Sequence, residues 1–349
     1  MKSKADYLNF YKKEIAPYLE SLERQRKKTV ASLTFWLTLY TIFIGIPGVI
    51  IAITIVKVWE DLGFFVFGLV LAGGAIIYGY TTSGYVASFK NKIISRIINF
   101  IDGELKYSPE NKVHEDLFEQ SKMFSEPSKY YGNDHVSGTL GSTTIAFSDV
   151  KASTGGWPES NTTVNIFTGI FVVADFNKYF KTLTYVMPNS KRHRAANSWL
   201  TNIFKSLVKA HGDPVKLENS DFDKAFATFS KDQIEARYIL TPDFMEKILK
   251  FRSKAWKRGS NEIYISFVNN RIYLGITYPR DILEPNIFQS LHKNTDVENY
   301  YYDLYFILNI IEDLDLNKRI WSKQSNSERN EDSNEDTAEI FGDISSLKA

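Results

Sequence analysis

Two uncharged runs constrain this chain more than any other feature. Neither Val30 to Val56 nor Leu62 to Phe89 contains a charged side chain. Each exceeds the roughly 20 apolar residues that carry a helix across a bilayer core. In lipid every backbone donor and acceptor must be satisfied inside the segment, so both runs are predicted to be helical and to span. The linker Lys57-Val58-Trp59-Glu60-Asp61 is too short for a domain, so the two helices form an antiparallel hairpin. A cleaved signal peptide fits badly, because its apolar core is shorter and ends at a small-residue cleavage site.

The flanks set the expected orientation. Arg24, Arg26, Lys27 and Lys28 precede the first run, and Lys90, Lys92 and Arg96 follow the second. The turn holds one lysine against Glu60 and Asp61, so the positive-inside rule places both ends in the cytoplasm. Ala75, Gly79, Ser83 and Ala87 recur every four residues, and small faces of this kind let helices approach closely in lipid. They suit packing of the two spans on each other, with Gly48 and Ala52 on the first, or self-association between chains. Gly45-Ile46-Pro47-Gly48 predicts a kink, since proline removes a helix donor. Neither run carries Asp, Glu, Lys, Arg or His, the groups that mark ion paths, so the hairpin reads as an anchor rather than a pump.

About 220 residues remain for cytoplasmic structure, enough for one large domain or two small ones. The formal net charge of +1 gives no global basic field, so no nucleic-acid partner is expected. Eight Lys or Arg oppose four acids before Val30, whereas three oppose seven after Trp321. The basic end suits anionic headgroups. There is no cysteine, which removes disulfides, thiolate metal sites and cysteine nucleophiles together.

The segments are expected as an amphipathic helix in 1–29, the transmembrane hairpin in 30–89, an amphipathic connector in 90–113, a cytoplasmic domain in 114–321 and an acidic, disordered tail in 322–349. Leu8, Tyr11, Ile15, Tyr18 and Leu22 form a near-heptad stripe. Gly138 to Ser142 reads as a hairpin turn, Thr163–Ala174 and Thr182–Met187 as buried strands, and Lys224–Phe229 as a further strand. Arg194 to His211 reads as a helix. Ser230 to Gln233 resembles a capping box and Thr241-Pro242 a helix start. The strongest hairpin signal is Asn269-Asn270 between Ile263–Val268 and Ile272–Thr277, because paired Asn tolerates positive φ. Local hairpins without regular strand–helix alternation give α+β, a transmembrane helical hairpin plus a mixed domain with a largely antiparallel sheet.

The five histidines are scattered without metal-ligand spacing, and no phosphate loop or nucleophile elbow is present; no metal site, cofactor or catalytic residue is assigned. Two polar constellations remain. Asp175-Phe176-Asn177-Lys178 follows a buried strand, where polar groups can meet a ligand, although Asp and Asn are also turn formers. Glu235 and Arg237 near a helix start suit an internal ion pair or a substrate-binding arginine. Lys191 to Arg194 is basic enough to touch headgroups.

At these segments the chain resembles a known family. Tyr130-Tyr131-Gly132-Asn133-Asp134, Ile145 to Val150, Ile166 to Phe171 leading into Ala174 to Lys178, Glu235 to Pro242, Ser266-Phe267 and Glu284-Pro285 are similar to the bacterial domain of unknown function 3137 family. The resemblance implies a bacterial inner-membrane protein with a cytoplasmic domain and supplies no catalytic residue. The leading expectation is a membrane-anchored binding or scaffolding module, partnered by the bilayer and by another protein or a second copy. One alternative is a membrane-surface enzyme on a lipid-linked or nucleotide substrate using Asp175, Asn177 and Arg237. The other is an oligomeric channel built on the Ala75, Gly79 and Ser83 face.

Overall fold

The computed structural model describes residues 4–57, 59–155, 163–189, 208–260, 262–291, 294–314 and 316. The expected acidic tail, the basic run 191–194 and most of the helix expected from Arg194 lie outside them. The chain forms two compact units, Met1–Phe100 with Leu283–Tyr301, and Ile101–Ile282 with Tyr302–Ala349.

The first unit is built on helices α1 (Ala5–Val56) and α2 (Glu60–Ile101), both long and apolar enough to cross a membrane. Proline does not break α1. Five-residue π-helical turns, Tyr11–Ile15 and Thr41–Gly45, lie just before Pro17 and Pro47, where a wider turn accommodates the missing donor. The first of these turns also rephases the expected heptad stripe. Tyr7, Phe10, Ile15, Leu19 and Leu22 are buried, whereas Leu8 faces out. Phe10 stacks on Phe100 at 4.0 Å and Tyr7 packs on Tyr301 at 4.6 Å. Past Lys90, the apolar side of the expected amphipathic connector, Ile93, Ile94, Ile97 and Ile98, is withdrawn from solvent.

The close approaches between α1 and α2 use Gly48 and Ala52 of the first run, as expected, but not the expected stripe of the second. A Cβ on Gly48 would meet Val70, one on Gly63 would meet Val56 and Ala52, and one on Gly73 would meet Tyr40. The Tyr40 hydroxyl donates to the Val70 carbonyl at 2.7 Å. Ala75, Gly79 and Ser83 are exposed, and a Cβ on Gly79 would meet nothing within 4 Å. Among the described residues the close packing runs instead through Val56 and Tyr40 of α1 against Gly63 and Gly73 of α2, and Val70 of α2 against Gly48 of α1.

The second unit is a single antiparallel sheet of β1 (Lys106–Ser108), β2 (Lys129–Leu140), β3 (Thr143–Thr154), β4 (Val164–Pro188), β5 (Asp213–Val215), β6 (Phe226–Ser230) and β7 (Ile263–Thr277), in the order β1-β2-β3-β4-β6-β5 with β7 also paired to β4. Its helices are α3 (Glu115–Gln120), α4 (Ser220–Ala225), α5 (Gln233–Ile239), α6 (Pro242–Lys257), the second half of α7 (Asn294–Leu308), whose first half belongs to the hairpin unit, and α8 (Ile310–Asp313). The fold is thus α+β with an antiparallel sheet, as the sequence implies. The β2–β3 turn falls at Gly141-Ser142, between the paired Leu140 and Thr143, with Gly141 at φ 64°.

β7 is a hairpin within one continuous stretch of sheet. The Thr277 amide donates to the Glu262 carbonyl at 2.9 Å and Asn269 has φ 55°, which places a two-residue turn at Asn269-Asn270. β4 embraces this hairpin. Its first arm, Gly169 to Asp175, pairs with Thr277 to Arg271, and its second, Thr184 to Val186, pairs with Phe267 to Ile265. The arms of β7 therefore lie between the arms of β4 at the centre of the sheet, and their side chains from Ile263 to Phe267 and from Arg271 to Ile276 are buried.

One face is packed by Phe118, Phe167, Phe171, Tyr264 and Tyr273. On the other, α6 contributes Phe244, with its ring centroid 6.0 Å from that of Phe267, and Phe251, stacked on Phe306 at 4.9 Å. Two local expectations are corrected. The strand expected from Lys224 begins at Phe226, because Asn219 caps α4 with its carboxamide oxygen on the Asp221 and Phe222 amides. The cap of α5 is Asp232, whose carboxylate accepts from the Ile234 and Glu235 amides, and not Ser230. Thr241 does cap α6, ahead of Pro242.

Candidate functional site

Of the two polar constellations of the strand-rich unit, one supplies the Glu235 side chain, which reaches the β4 crossover a few residues beyond the other. Between its arms, β4 crosses the tip of the β7 hairpin at residues 176–183, where Phe180 pairs with Asn269. Phe176 and Phe180 anchor this crossover, with centroids 5.8 and 5.5 Å from that of Phe267. Glu235 then clamps it from α5. Its carboxylate accepts from the Lys181 amide at 3.0 Å, the Thr182 amide at 2.9 Å and the Thr182 hydroxyl at 2.9 Å. Instead of an ion pair, Glu235 makes a charge-assisted cap on backbone donors that the strand shift leaves open.

Asp175 is half-buried at the end of the first arm, in register with Arg271. Arg237 is exposed and donates to the Lys216 carbonyl at 3.4 Å and to the Gln233 side chain at 3.3 Å. Its bonds are to residues 216 and 233, so the structure does not join Arg237 to Asp175. The Asn177 side chain lies outside the described residues.

The other polar centre is in the hairpin unit. Glu23 and Arg26, one turn apart on α1, form a bidentate pair with N–O distances of 2.8 and 2.7 Å. Arg26 also donates to the Ile287 carbonyl at 2.8 Å, and the Leu291 amide donates to Glu23 at 3.1 Å. Glu23 is 2% exposed. The Arg26 hydrogen bonds outweigh its burial and hold its carboxyl down at about 2. Lys90, also buried, pairs with Glu284 at 2.8 Å, and Tyr300 donates to the Glu284 carbonyl at 3.1 Å. Near Arg26 and Glu23, the buried Tyr85 hydroxyl has no hydrogen-bond partner among the described residues.

Sequence reasoning missed this centre. It counted Arg26 and Lys90 among the flanking cations, whereas both are committed to internal carboxylates. The available signal was Glu23 three residues before Arg26, an i,i+3 spacing that places opposite charges on one helical face.

The histidines serve local structure. His114 caps α3, accepting from the Asp116 amide at 3.4 Å. His135 is held below its usual range by burial. His211 stacks on Tyr185 at 4.4 Å and hydrogen-bonds to the Lys122 carbonyl at 2.6 Å. His193 and His292 lie outside the described residues.

The family signature falls on the arms of β4, the β7 hairpin and the helices that cover them. Residues 165–316 match the family Protein of unknown function (DUF3137). The match begins at the first arm of β4 and ends just beyond α8, so the matched residues include the crossover, its Glu235 clamp and the 283–301 segment of the hairpin unit. No curated protein and no solved structure matches the chain.

Proposed function

We propose that the protein is a membrane-anchored binding or scaffolding module of a bacterial cytoplasmic membrane, with both ends cytoplasmic. The observation that carries this reading is the outer surface of α1 and α2. Phe43, Ile50, Phe64, Phe65, Leu71 and Ile76 are exposed there, a surface matched to lipid and not to water. At the base of the hairpin, Glu23, Arg26 and Lys90 tie down residues 284–291. An anchor gripped in this way transmits a pull or a tilt through bonds instead of a slack tether.

The absence of cysteine makes the placement directly testable. Single cysteines at Lys57, in the turn, and at Ser253, exposed on α6, are treated in intact cells with a membrane-impermeant maleimide. Labelling of Lys57→Cys alone is expected; labelling of Ser253→Cys in intact cells overturns the orientation. Purification in mild detergent, with mass spectrometry of what accompanies the chain, tests the role. A stoichiometric protein supports a scaffold, whereas a metabolite retained by the native chain and lost with Asp175→Ala favours an enzyme.

A further inference from the structure

We propose that α5 is a docking knuckle for an anionic bilayer surface, an inference that rests on the membrane-anchored reading above. Ala236 and Ile239 bury one side of this helix, while the other presents Ile234, 81% exposed, and Tyr238, 53% exposed, one turn apart. Tyr179, 51% exposed, stands on the crossover two residues before the amides that Glu235 holds. Large apolar side chains so exposed and so close are unusual on a soluble surface.

Cations ring them. Lys231 precedes the helix, Arg237 lies within it, Lys216 is fixed beside it by the Arg237 bond to its carbonyl, and Lys181 is fixed by the Glu235 clamp. All four are exposed, and none is in an ion pair with another described residue. The two acids of the knuckle are occupied, Asp232 on the amides of Ile234 and Glu235, and Glu235 on the crossover. Asp213 and Glu218 are the exposed acids of the neighbouring edge, and they leave the cations in excess.

Tyrosine and isoleucine inside a basic ring match the headgroup boundary of an anionic leaflet, where aromatic rings settle and each Lys or Arg adds attraction. Three projecting side chains are few beside the 20 to 30 residues, about 800 Å² per partner, that a stable protein interface uses. The clamp supplies the rigidity, because the crossover and the helix move as one body.

The test uses the full chain, with Ile234→Cys labelled by an environment-sensitive fluorophore and placed in nanodiscs of phosphatidylcholine alone or mixed with phosphatidylglycerol. Tyr131→Cys, exposed on β2, is the control. The expected result is a blue shift and quenching by spin-labelled lipid at position 234 in anionic discs only. Each of Lys231→Glu and Arg237→Glu should reduce the docked population roughly five-fold. A probe that stays in water in both discs overturns the inference and leaves the anchored reading intact. Equal quenching without phosphatidylglycerol overturns the anionic specificity, and a shift without lipid quenching identifies a protein surface instead. A chain that does not enter nanodiscs at all removes both readings.

Discussion

In the hairpin unit the side chains withdrawn from solvent include Glu23 and Lys90, with Arg26 nearly so, while Phe43, Ile50, Phe64 and Ile76 of the apolar runs face outward. In the strand-rich unit the order is reversed. Rings such as Phe147, Phe171 and Phe180 are fully buried, and ion pairs such as Lys254–Asp313 lie toward the surface. The contrast is the one expected if the apolar helices meet lipid, as proposed, and the sheet meets water. A surface that meets lipid gains little from burying apolar groups against its own chain, so packing and a few internal polar bonds set its geometry. A surface that meets water gains most from the sheet and its aromatic layers.

The sharpest way to break this comparison is Glu23→Ala. It strands Arg26 and is expected to cost about 3–5 kcal/mol, the usual effect of removing one partner of a buried pair. The loss is read as a lowered thermal midpoint in detergent. Acid should act on the same bond. The Glu23 carboxyl is held near 2, below the ordinary value of 4.5, so its contribution is complete above about pH 4.5 and is lost as pH falls toward 2. Glu23→Ala should therefore flatten the acid limb of the stability curve, and an unchanged limb would show that the pair contributes little.

Next in size is Gly169→Ala in the first arm of β4. Gly169 has φ 146°, and a Cβ there would lie 2.1 Å from the Ile276 carbonyl oxygen. A loss of about 2–4 kcal/mol is expected from backbone that cannot retreat, seen as a lower denaturant midpoint of the strand-rich unit with the hairpin unit unaffected. Glu235→Gln keeps one acceptor and loses the charge, so about 1–2 kcal/mol is expected, confined to the crossover. Faster amide exchange at Lys181 and Thr182, without faster exchange in β2 or β3, is the readout. The smallest effect is Gly79→Leu, which meets nothing inside the chain and should shift hairpin stability by less than about 0.5 kcal/mol. Gly63→Leu, facing Val56 and Ala52 at under 3 Å, should disrupt the hairpin. A large effect of Gly79→Leu on assembly alone would locate contacts between copies.

The parts legible in the sequence are those governed by neighbours along the chain. Uninterrupted apolarity announces α1 and α2, Asn269-Asn270 announces its own turn, and Thr241-Pro242 announces the start of α6. What escaped depends on residues far apart. Thr163–Ala174 and Thr182–Met187 read correctly as strands, yet nothing local says that they flank a hairpin about 90 residues later. Glu235 looks like half of an ion pair because its true partners are amides, and amides leave no mark in a sequence. The grip of Glu23 and Arg26 on Ile287 and Leu291 joins positions more than 260 apart. At the candidate site the residue types were visible, and the clamp that organises them was not.

One excursion of the chain bears on how this protein can be handled. Residues 283–301 belong with the hairpin, although both flanking segments belong to the strand-rich unit. Deleting the first 100 residues to obtain a soluble fragment would therefore not make a clean cut. It would leave Glu284 without Lys90, and the Ile287 carbonyl and Leu291 amide without Arg26 and Glu23. Such a fragment should precipitate or self-associate. Replacing 283–301 with a short Gly/Ser bridge, and not moving the amino-terminal boundary, is the route to a soluble piece.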